Sequence, residues 1–281
     1  MATRNYTLWL KKGADVVTHD GKSVRVWPFT DRSSKATLFP GPLLISSEGD
    51  TVYVVFKNFM SEHTFHFHGI DADQANDGVP ETWPPRSDYT FLTDYAGTYW
   101  YHCHANTVLH QEMGMYGAFV VMPADGSSRA WTGGPPFTKQ YVWILDEFDS
   151  QWHSSKYNPN FASFNADYFL INGKDGFNPI TASNTAITCS AGNTIMLRLI
   201  HAGYLIARVR LDSRLPFTVI ASDGRPLLVA QTPPFVEIAS GERYDLLFTP
   251  TTRGTYTALV QYLNWYEGTV RGTARTTIAV T

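Results

Sequence analysis

Cysteine is scarce in this sequence, with two among 281 residues, Cys103 and Cys189. Two thiols make at most one disulfide, and Cys103 stands between two histidines, a poor place for a structural bridge. We therefore expect the core, and not disulfide bonds, to hold the fold together. Cys189 lies in a short apolar run and is expected to be a small buried side chain.

The sequence also lacks long apolar runs and a surplus of either charge. No stretch approaches the ~18 consecutive apolar residues that span a bilayer. Lys and Arg total 22 against 25 Asp and Glu, so neither nucleic acid nor an anionic membrane is an expected partner. Residues 1–6 lack the apolar core of a signal peptide. We expect a periplasmic or secreted protein if a leader has been removed, and a cytoplasmic one otherwise.

Short apolar stretches bounded by Gly, Pro, Asn and Asp recur along the whole chain. Examples are residues 51–56, 97–101 and 117–122 in the first half, and 194–200 and 255–260 in the second. They have the length and the β-branched or aromatic content of strands, and no long segment keeps a helical period. The sequence therefore predicts an all-β protein built from Greek-key sandwiches.

A turn-rich segment near the middle of the chain predicts a domain boundary. Residues 123–128 and 133–136 are rich in Pro, Gly and Ser. We place the first domain at residues 1–128 and the second at 129–281. Both halves share similar turns and strand openings, for example a Gly-Thr-Tyr opening at residues 97 and 254. This correspondence predicts two copies of one sandwich.

The histidines are concentrated around one cysteine. Six of the nine lie between residues 63 and 110, in the runs His-Thr-Phe-His-Phe-His and His-Cys-His and at His110. In a strand, side chains two residues apart share a face, so His66 and His68 point together. By the same rule His102 and His104 point together, and Cys103 points to the opposite face. Two back-to-back sites are therefore predicted.

The two predicted sites have different ligand chemistry. We call the first the cysteine group; its members are Cys103, His63, His110 and Met115. A thiolate, two imidazoles and a thioether are the ligand set of a blue-copper electron-transfer centre. We call the second the polyhistidine group; its members are His66, His68, His102 and His104. Four imidazoles suit a copper site that meets a small oxidant.

These motifs resemble the copper-binding motifs of multicopper oxidases, the laccase-like cupredoxin proteins. The resemblance rests on H-x-x-H-x-H-G at residues 63–69, Gly-Thr-Tyr-Trp-Tyr-His-Cys-His at 97–104, and His110 with Met115. Shorter similarities in the second half extend it over nearly the whole chain. It implies two cupredoxin-like Greek-key β-sandwich domains, of which the second lacks copper-ligand motifs.

The resemblance also implies roles for the two groups. It assigns a type 1 copper to the cysteine group. In the polyhistidine group it assigns His66 to a type 2 position and His68, His102 and His104 to type 3 positions. The implied enzyme takes single electrons from a small reductant at the type 1 copper and passes them through Cys103 to the second copper site, where dioxygen is reduced.

One departure from the family is clear in the second half of the chain. Multicopper oxidases take the ligands of their cluster from two domains, and the chain has only half of that histidine set. Where a second-domain H-x-H would be expected, residues 207–212 read Ala-Arg-Val-Arg-Leu-Asp, and residues 257–259 read Thr-Ala-Leu. There are three ways to account for the missing histidine ligands. Two chains could pool their histidines, a different subunit could supply the rest, or the site could hold fewer coppers.

Two alternatives follow from this incomplete set. One is an enzyme similar to copper-containing nitrite reductases, with a mononuclear type 2 copper completed by a neighbouring subunit; His201 or His153 would then be the added ligand. The other is a non-catalytic blue-copper electron-transfer protein. Most of these possibilities imply a homo-oligomer, either a trimer or a dimer that pools histidines.

Overall fold

The computed structural model describes residues 2–10, 13–31, 39–57, 63–81, 84–154, 160–176, 182 and 184–281. The chain forms two compact units. Unit 1 comprises residues 1–16, 23–134 and 151–162, and unit 2 comprises residues 17–22, 135–150 and 163–281. The single boundary between residues 128 and 129 expected from the sequence stays a prediction.

Unit 1 contains two four-stranded sheets with the strand orders β4-β1-β6-β8 and β5-β10-β9-β7, and a β2-β3 hairpin. Its strands are β1 (Thr3–Leu10), β2 (Ala14–Val17), β3 (Ser23–Val26), β4 (Phe29–Thr30), β5 (Gly41–Ser47), β6 (Thr51–Lys57), β7 (His66–His68), β8 (Asp88–Leu92), β9 (Gly97–His102) and β10 (Tyr116–Met122). Two short helices are α1 (Thr107–Glu112) and α2 (Ser150–Ser154), and a 3₁₀ turn covers Phe161–Ser163.

Unit 2 contains a seven-stranded sheet, ordered β13-β12-β11-β15-β20-β17-β18, and a five-stranded sheet, ordered β14-β22-β21-β16-β19. The strands are β11 (Lys139–Phe148), β12 (Tyr168–Ile171), β13 (Lys174–Asp175), β14 (Ile187–Cys189), β15 (Ile195–His201), β16 (Ile206–Leu211), β17 (Phe217–Ser222), β18 (Arg225–Gln231), β19 (Val236–Ile238), β20 (Arg243–Phe248), β21 (Gly254–Leu263) and β22 (Val270–Val280). The all-β prediction is confirmed. No helix in the described ranges is long and apolar enough to cross a membrane.

An aromatic core in unit 1 positions the strands that carry the histidines. Phe65 stacks on Tyr101 with ring centroids 4.7 Å apart, and Phe67 packs on Phe119 at 5.2 Å. The Tyr101 hydroxyl donates a hydrogen bond to the carbonyl of Pro42 at 2.6 Å. Burial raises the pKa of Tyr101 well above its usual value, so the phenol stays neutral. These contacts fix β7 and β9 against the rest of the core.

Tyr101 requires a glycine on the neighbouring strand. A Cβ at Gly117 would lie 2.2 Å from Oη of Tyr101, so no larger residue fits there without movement. Gly117 pairs with Tyr101 across β10 and β9. The close approach lets the ring lie flat against β10 while its neighbours on β9 point to the other face.

Candidate metal centre

Strand β9 presents its side chains alternately to two sides, as predicted. Tyr99, Tyr101 and Cys103 belong to the hydrophobic core of unit 1. His102 lies on the opposite face and pairs with His66 of β7 in an antiparallel register. The sequence period of two therefore separates the cysteine from the histidines that flank it.

The four side chains of the polyhistidine group come together on this second face. The His66 ring centroid lies 5.1 Å from those of both His102 and His104, and 5.6 Å from that of His68. One nitrogen from each of His66, His68 and His102 falls within a 4.8 Å cluster. His104 stands beside this set, with Nδ1 3.8 Å from the carboxylate of Glu81, which is too far for a hydrogen bond.

Neighbouring oxygen atoms orient two of these rings. Nδ1 of His66 lies 2.7 Å from the backbone carbonyl of Asp77 and 3.1 Å from its Oδ1, so this nitrogen carries the proton and donates. Nδ1 of His102 lies 3.0 Å from the carbonyl of Cys103. In both residues Nε2 is left as the atom that faces the cluster. A hydrogen bond at the far nitrogen is the usual support of a metal-binding imidazole.

Burial favours the neutral form of two of these imidazoles, and the neutral form is the one that binds a metal. It lowers the pKa of His66, and the contacts with Asp77 oppose that shift in part. The pKa of His102 is lowered well below its usual range, first by burial and then by the neighbouring His66.

The Asp77 turn needs a glycine beside it. Gly78 has φ of +71°, and a Cβ there would lie 2.3 Å from the carbonyl oxygen of Phe65. The loop can therefore approach the start of β7 closely only because residue 78 has no side chain. This approach brings the Asp77 oxygens to His66.

The cysteine group forms on the core side of β9. Sγ of Cys103 lies 3.1 Å from Nδ1 of His110 and 3.9 Å from Nδ1 of His63. All three side chains are buried, and their ligand atoms fall within 4.8 Å of one another. The amide of Thr64 donates to Sγ at 3.4 Å, a contact that favours a thiolate. One soft sulfur and two imidazoles are a donor set that fits copper.

Met115 lies beside this group. It is fully buried in the same core cluster as Cys103, and its carbonyl accepts a hydrogen bond from the Cys103 amide at 3.0 Å. The Met115 amide in turn donates to the carbonyl of His110 at 3.0 Å. The residue expected as the axial ligand is therefore tied through its backbone to two other members of the group.

Unit 2 does not repeat the arrangement. In β16 the buried Ala207 and Val209 alternate with the half-buried Arg208 and Arg210, so neither face of this strand carries a histidine. His201 is fully buried, with ring nitrogens 3.2 Å and 2.5 Å from the carbonyls of Leu145 and Leu205. Among the described residues of unit 2, His19 is the other histidine, and it is paired with Asp175.

His153 is also buried, and both of its ring nitrogens have contacts within the chain. Its side chain is 1% exposed, with Nδ1 2.5 Å from the carbonyl of Arg25 and Nε2 3.2 Å from Oε1 of Glu112. The alternative in which His201 or His153 completes a neighbour's copper site therefore lacks structural support. In both residues the two ring nitrogens have contacts within the chain.

Some residues around the two groups were not identified from the sequence. The Trp100 ring lies 4.5 Å from that of His102 and 5.1 Å from that of His68, and the Trp27 ring meets His110 edge to face at 6.0 Å. The period of two within β9 already places Trp100 on the histidine face. No local signal indicates Trp27, because it is 83 positions before His110 in the chain.

Comparison with known proteins assigns the family. Two multicopper oxidase family models match the chain, one over residues 30–126 and the other over residues 140–281, which together cover most of it. The chain belongs to the multicopper oxidase family. This confirms the resemblance drawn from the motifs, and with it copper as the cofactor of a type 1 and a second site.

Individual relatives agree with this assignment. Copper resistance protein A of Escherichia coli is 28% identical, over 84% of this chain and 46% of its own length. The blue copper oxidase of Nitrosomonas europaea is similar in structure, with a TM-score of 0.80, 26% identity, and coverage of 99% of this chain and 86% of that one. The chain spans less than half the length of the first curated relatives that it matches.

A copper nitrite reductase from Nitrosomonas europaea is also similar, with a TM-score of 0.74 and 23% identity, over 99% of this chain and 94% of that one. Likeness at this level of identity concerns the fold alone. The secondary resemblance noted in the sequence is therefore a resemblance of architecture.

Proposed function

We propose that this multicopper oxidase family member is a copper-dependent oxidase. A small reductant gives up single electrons at the cysteine group, and dioxygen is reduced at the polyhistidine group. The observation that carries the proposal is the back-to-back placement of the two groups at the end of β9, where Cys103 directly follows His102 and precedes His104. A non-catalytic metal store does not require two ligand sets joined in this way.

The residues that would hold the metal divide by chemistry. His63, Cys103, His110 and Met115 would hold a type 1 copper, and His66, His68, His102 and His104 would hold the type 2 and type 3 positions. Copper at these sites supplies reversible one-electron chemistry. The side chains His66, His68, His102 and His104, together with Cys103, are the ones that we expect to take part in the reaction.

The protein's own contribution is to hold these donors in place and to exclude water. Cys103 is fully buried, and the Thr64 amide at its sulfur stabilises the thiolate. On the other face, Asp77 fixes the ring of His66 and is itself partly exposed, so it connects this site to solvent for proton exchange. The peptide units on either side of Cys103 provide a short covalent route between the groups.

The polyhistidine group of this sequence supplies half of the ligands that the family resemblance implies. We propose that a second copy of the chain supplies further ligands in a homo-oligomer. Arg208 and Arg210 of unit 2 cannot donate to copper, because a guanidinium is protonated and has no free electron pair. This supports a dimer in which two polyhistidine groups face each other, over a trimer completed by unit 2. A small reductant and dioxygen are the proposed partners, and the periplasm or the cell exterior is the proposed location.

The test compares total copper per chain with the number of EPR-detectable Cu(II) spins in the same oxidised sample. We expect more copper than spins, together with a blue-site signal, because a coupled pair of coppers is EPR-silent. The His68→Ala variant should lose this excess and keep the blue signal. Light scattering on the wild-type and His68→Ala samples should give the molecular mass of a dimer for the wild type.

The comparison of copper with spins can also contradict the proposal. Equal copper and spins, at one or two per chain, would overturn dioxygen reduction at a coupled cluster. Oxygen uptake with a phenolic donor then separates an oxidase from an electron carrier. The nitrite-reductase-like and electron-transfer alternatives are not favoured, since the former needs an accessible extra histidine.

A further inference from the structure

A buried acid and a buried histidine lie next to the cysteine group without belonging to it. The Glu112 side chain is 0% exposed and that of His153 is 1% exposed, and Oε1 of Glu112 lies 3.2 Å from Nε2 of His153. Glu is almost never buried to this extent unless it is paired. The pair joins helix α2 to helix α1, across 41 positions of the chain and within unit 1.

Helix α1 cannot hold its own position. It has six residues, and its first residues are preceded by Asn106, which makes no side-chain capping hydrogen bond. A helix of this length is unstable alone, so packing must set its orientation. Glu112 is its last residue. Its buried contact with His153 therefore ties the last turn of α1 to α2.

A ring of hydrogen bonds ties the end of α1 to the strand β3 region. The Trp27 amide donates to the carbonyl of Met113 at 2.6 Å. Nδ1 of His153 donates to the carbonyl of Arg25 at 2.5 Å, and its Nε2 meets Glu112. Arg25 and Trp27 are two residues apart, so the C-terminal end of α1 is held at two points by one extended segment.

We call these hydrogen bonds, which join Glu112 and Met113 to His153, Arg25 and Trp27, the clamp. The residue that the clamp supports most directly is His110. It lies two positions before Glu112 on the same turn, and its Nδ1 is 3.1 Å from Sγ of Cys103. Its ring is bordered by Trp27, which takes part in the same hydrogen-bonded ring. Because His110 is part of α1, a small rotation of this helix would change the angle between the imidazole and the sulfur of Cys103.

We propose that His153 is a positioning residue for the cysteine group: through Glu112 it fixes helix α1, and thereby the ring of His110 relative to Cys103. This inference rests on the proposed type 1 role of the cysteine group. It assigns to α2 a function in metal geometry that no copper-ligand motif indicates.

The test uses His153→Phe, which keeps an aromatic ring and removes both hydrogen bonds, beside His153→Gln, which can still donate to Glu112. We expect His153→Phe to shift the copper hyperfine splitting in the EPR spectrum and the ratio of the two sulfur-to-copper absorption bands. We expect the dissociation constant for copper to rise by about 10-fold, the lower end for the loss of an outer support of a metal ligand. His153→Gln should restore most of each signal.

A second pair of variants examines Glu112. Glu112→Gln keeps an acceptor and donor at the same place and should resemble the wild type, while Glu112→Leu should resemble His153→Phe. If the two residues act as one unit, the EPR shift of the double variant Glu112→Leu/His153→Phe will be no larger than that of either single variant. Full additivity in the EPR shift would overturn the proposal.

His201→Phe is the matched control, because His201 is equally buried and also bonds two groups, but in unit 2. It should lower the melting temperature and leave the blue-site spectrum unchanged. A wild-type spectrum in His153→Phe, or an equal change in His201→Phe, would overturn the positioning role.

Failure of the proposed function itself has a separate signature. If the cysteine group holds no type 1 copper, the wild type has no blue band and Cys103→Ser changes nothing. In that case the metal-free protein still reports on the clamp: His153→Phe should shift the NMR resonances of the His110 ring, and His201→Phe should not. Unshifted His110 resonances would overturn the inference independently of copper.

Discussion

The backbone amide of Thr64 donates a hydrogen bond to Sγ of Cys103, at 3.4 Å. The hydroxyl of the same threonine accepts a hydrogen bond from the amide of His104 at 2.9 Å. One residue on the strand-entry segment before β7 thus touches the sulfur of the cysteine group with its backbone and the polyhistidine segment with its side chain. A substitution at Thr64 can therefore alter the polyhistidine group while the contact with the cysteine group is kept.

Thr64→Val removes the hydroxyl and keeps the amide. We expect the blue band to survive, because the donor to Cys103 is unchanged, and the copper content of the polyhistidine site to fall. Loss of the acceptor for the partly buried His104 amide should cost about 1 kcal/mol in the free energy of unfolding. Urea unfolding and copper analysis measure the two effects. Thr276→Val, at another fully buried threonine in unit 2, should destabilise without loss of copper; equal copper loss in both would contradict the prediction.

Cys103→Ser tests the cysteine group directly. A serine hydroxyl cannot replace a soft thiolate, so the blue absorption should disappear while the fold remains intact. Cys189→Ser is the control, since Cys189 is also buried but lies in unit 2. Absorption spectra of the two copper-loaded variants decide the matter. A blue band that persists in Cys103→Ser would refute the type 1 assignment.

Asp20 should make the stability of the protein depend on pH in the acid range. Hydrogen bonds from the Thr18 hydroxyl, the Lys22 amide and the Tyr168 hydroxyl lower its pKa to about 2. A depressed pKa means that Asp20 stabilises the fold above its ordinary pKa near 3.8, and that this contribution is lost as the pH falls towards 2.

Asp20→Asn should therefore flatten the dependence of the melting temperature on pH between about 4 and 2. Carboxyl NMR on Tyr168→Phe gives a second measurement, because loss of one donor should move the pKa of Asp20 back towards its ordinary value. An unchanged slope in Asp20→Asn would disprove the assignment.

Gly117→Ala tests the packing of Tyr101 against β10. The added Cβ meets the ring within 2.2 Å, so we expect the free energy of unfolding to fall by about 3 kcal/mol, the upper range for overpacking. Gly126→Ala is the comparison, since its Cβ meets nothing within 4 Å and only its φ of +68° opposes the change. That strain should cost about 1 to 2 kcal/mol. A smaller loss for Gly117→Ala than for Gly126→Ala, in urea unfolding, would contradict this account.

The all-β class and the two faces of β9 followed from the sequence because both depend on a local period of two. The same period places His66 and His102 each on the histidine face of its strand, and the two residues pair across β7 and β9. The burial of His201 could not be read from a lone histidine at a strand end. It depends on carbonyls of Leu145 and Leu205, one of which lies 56 positions away.

The clamp on helix α1 lay beyond sequence reasoning for the same reason. Glu112 is a charged residue type that the sequence alone would place in solvent, and the sequence offered His153 only as an added copper ligand in one alternative. Their mutual burial is produced by the path of the chain after β11, which returns α2 to unit 1. Only a tertiary contact converts two unremarkable positions into a support for a metal ligand.

The strand that carries both groups fixes the distance between them by covalent bonds. Cys103 is one residue from His102 and from His104, and adjacent Cα atoms across a trans peptide are about 3.8 Å apart. Heating, crowding or a loosened core alters the angles of the ligands at either end, but it cannot lengthen this path. The length of the route for internal electron passage should therefore be the same in variants whose melting temperatures differ widely, and differences in its rate should come from the driving force and the ligand geometry at the two sites.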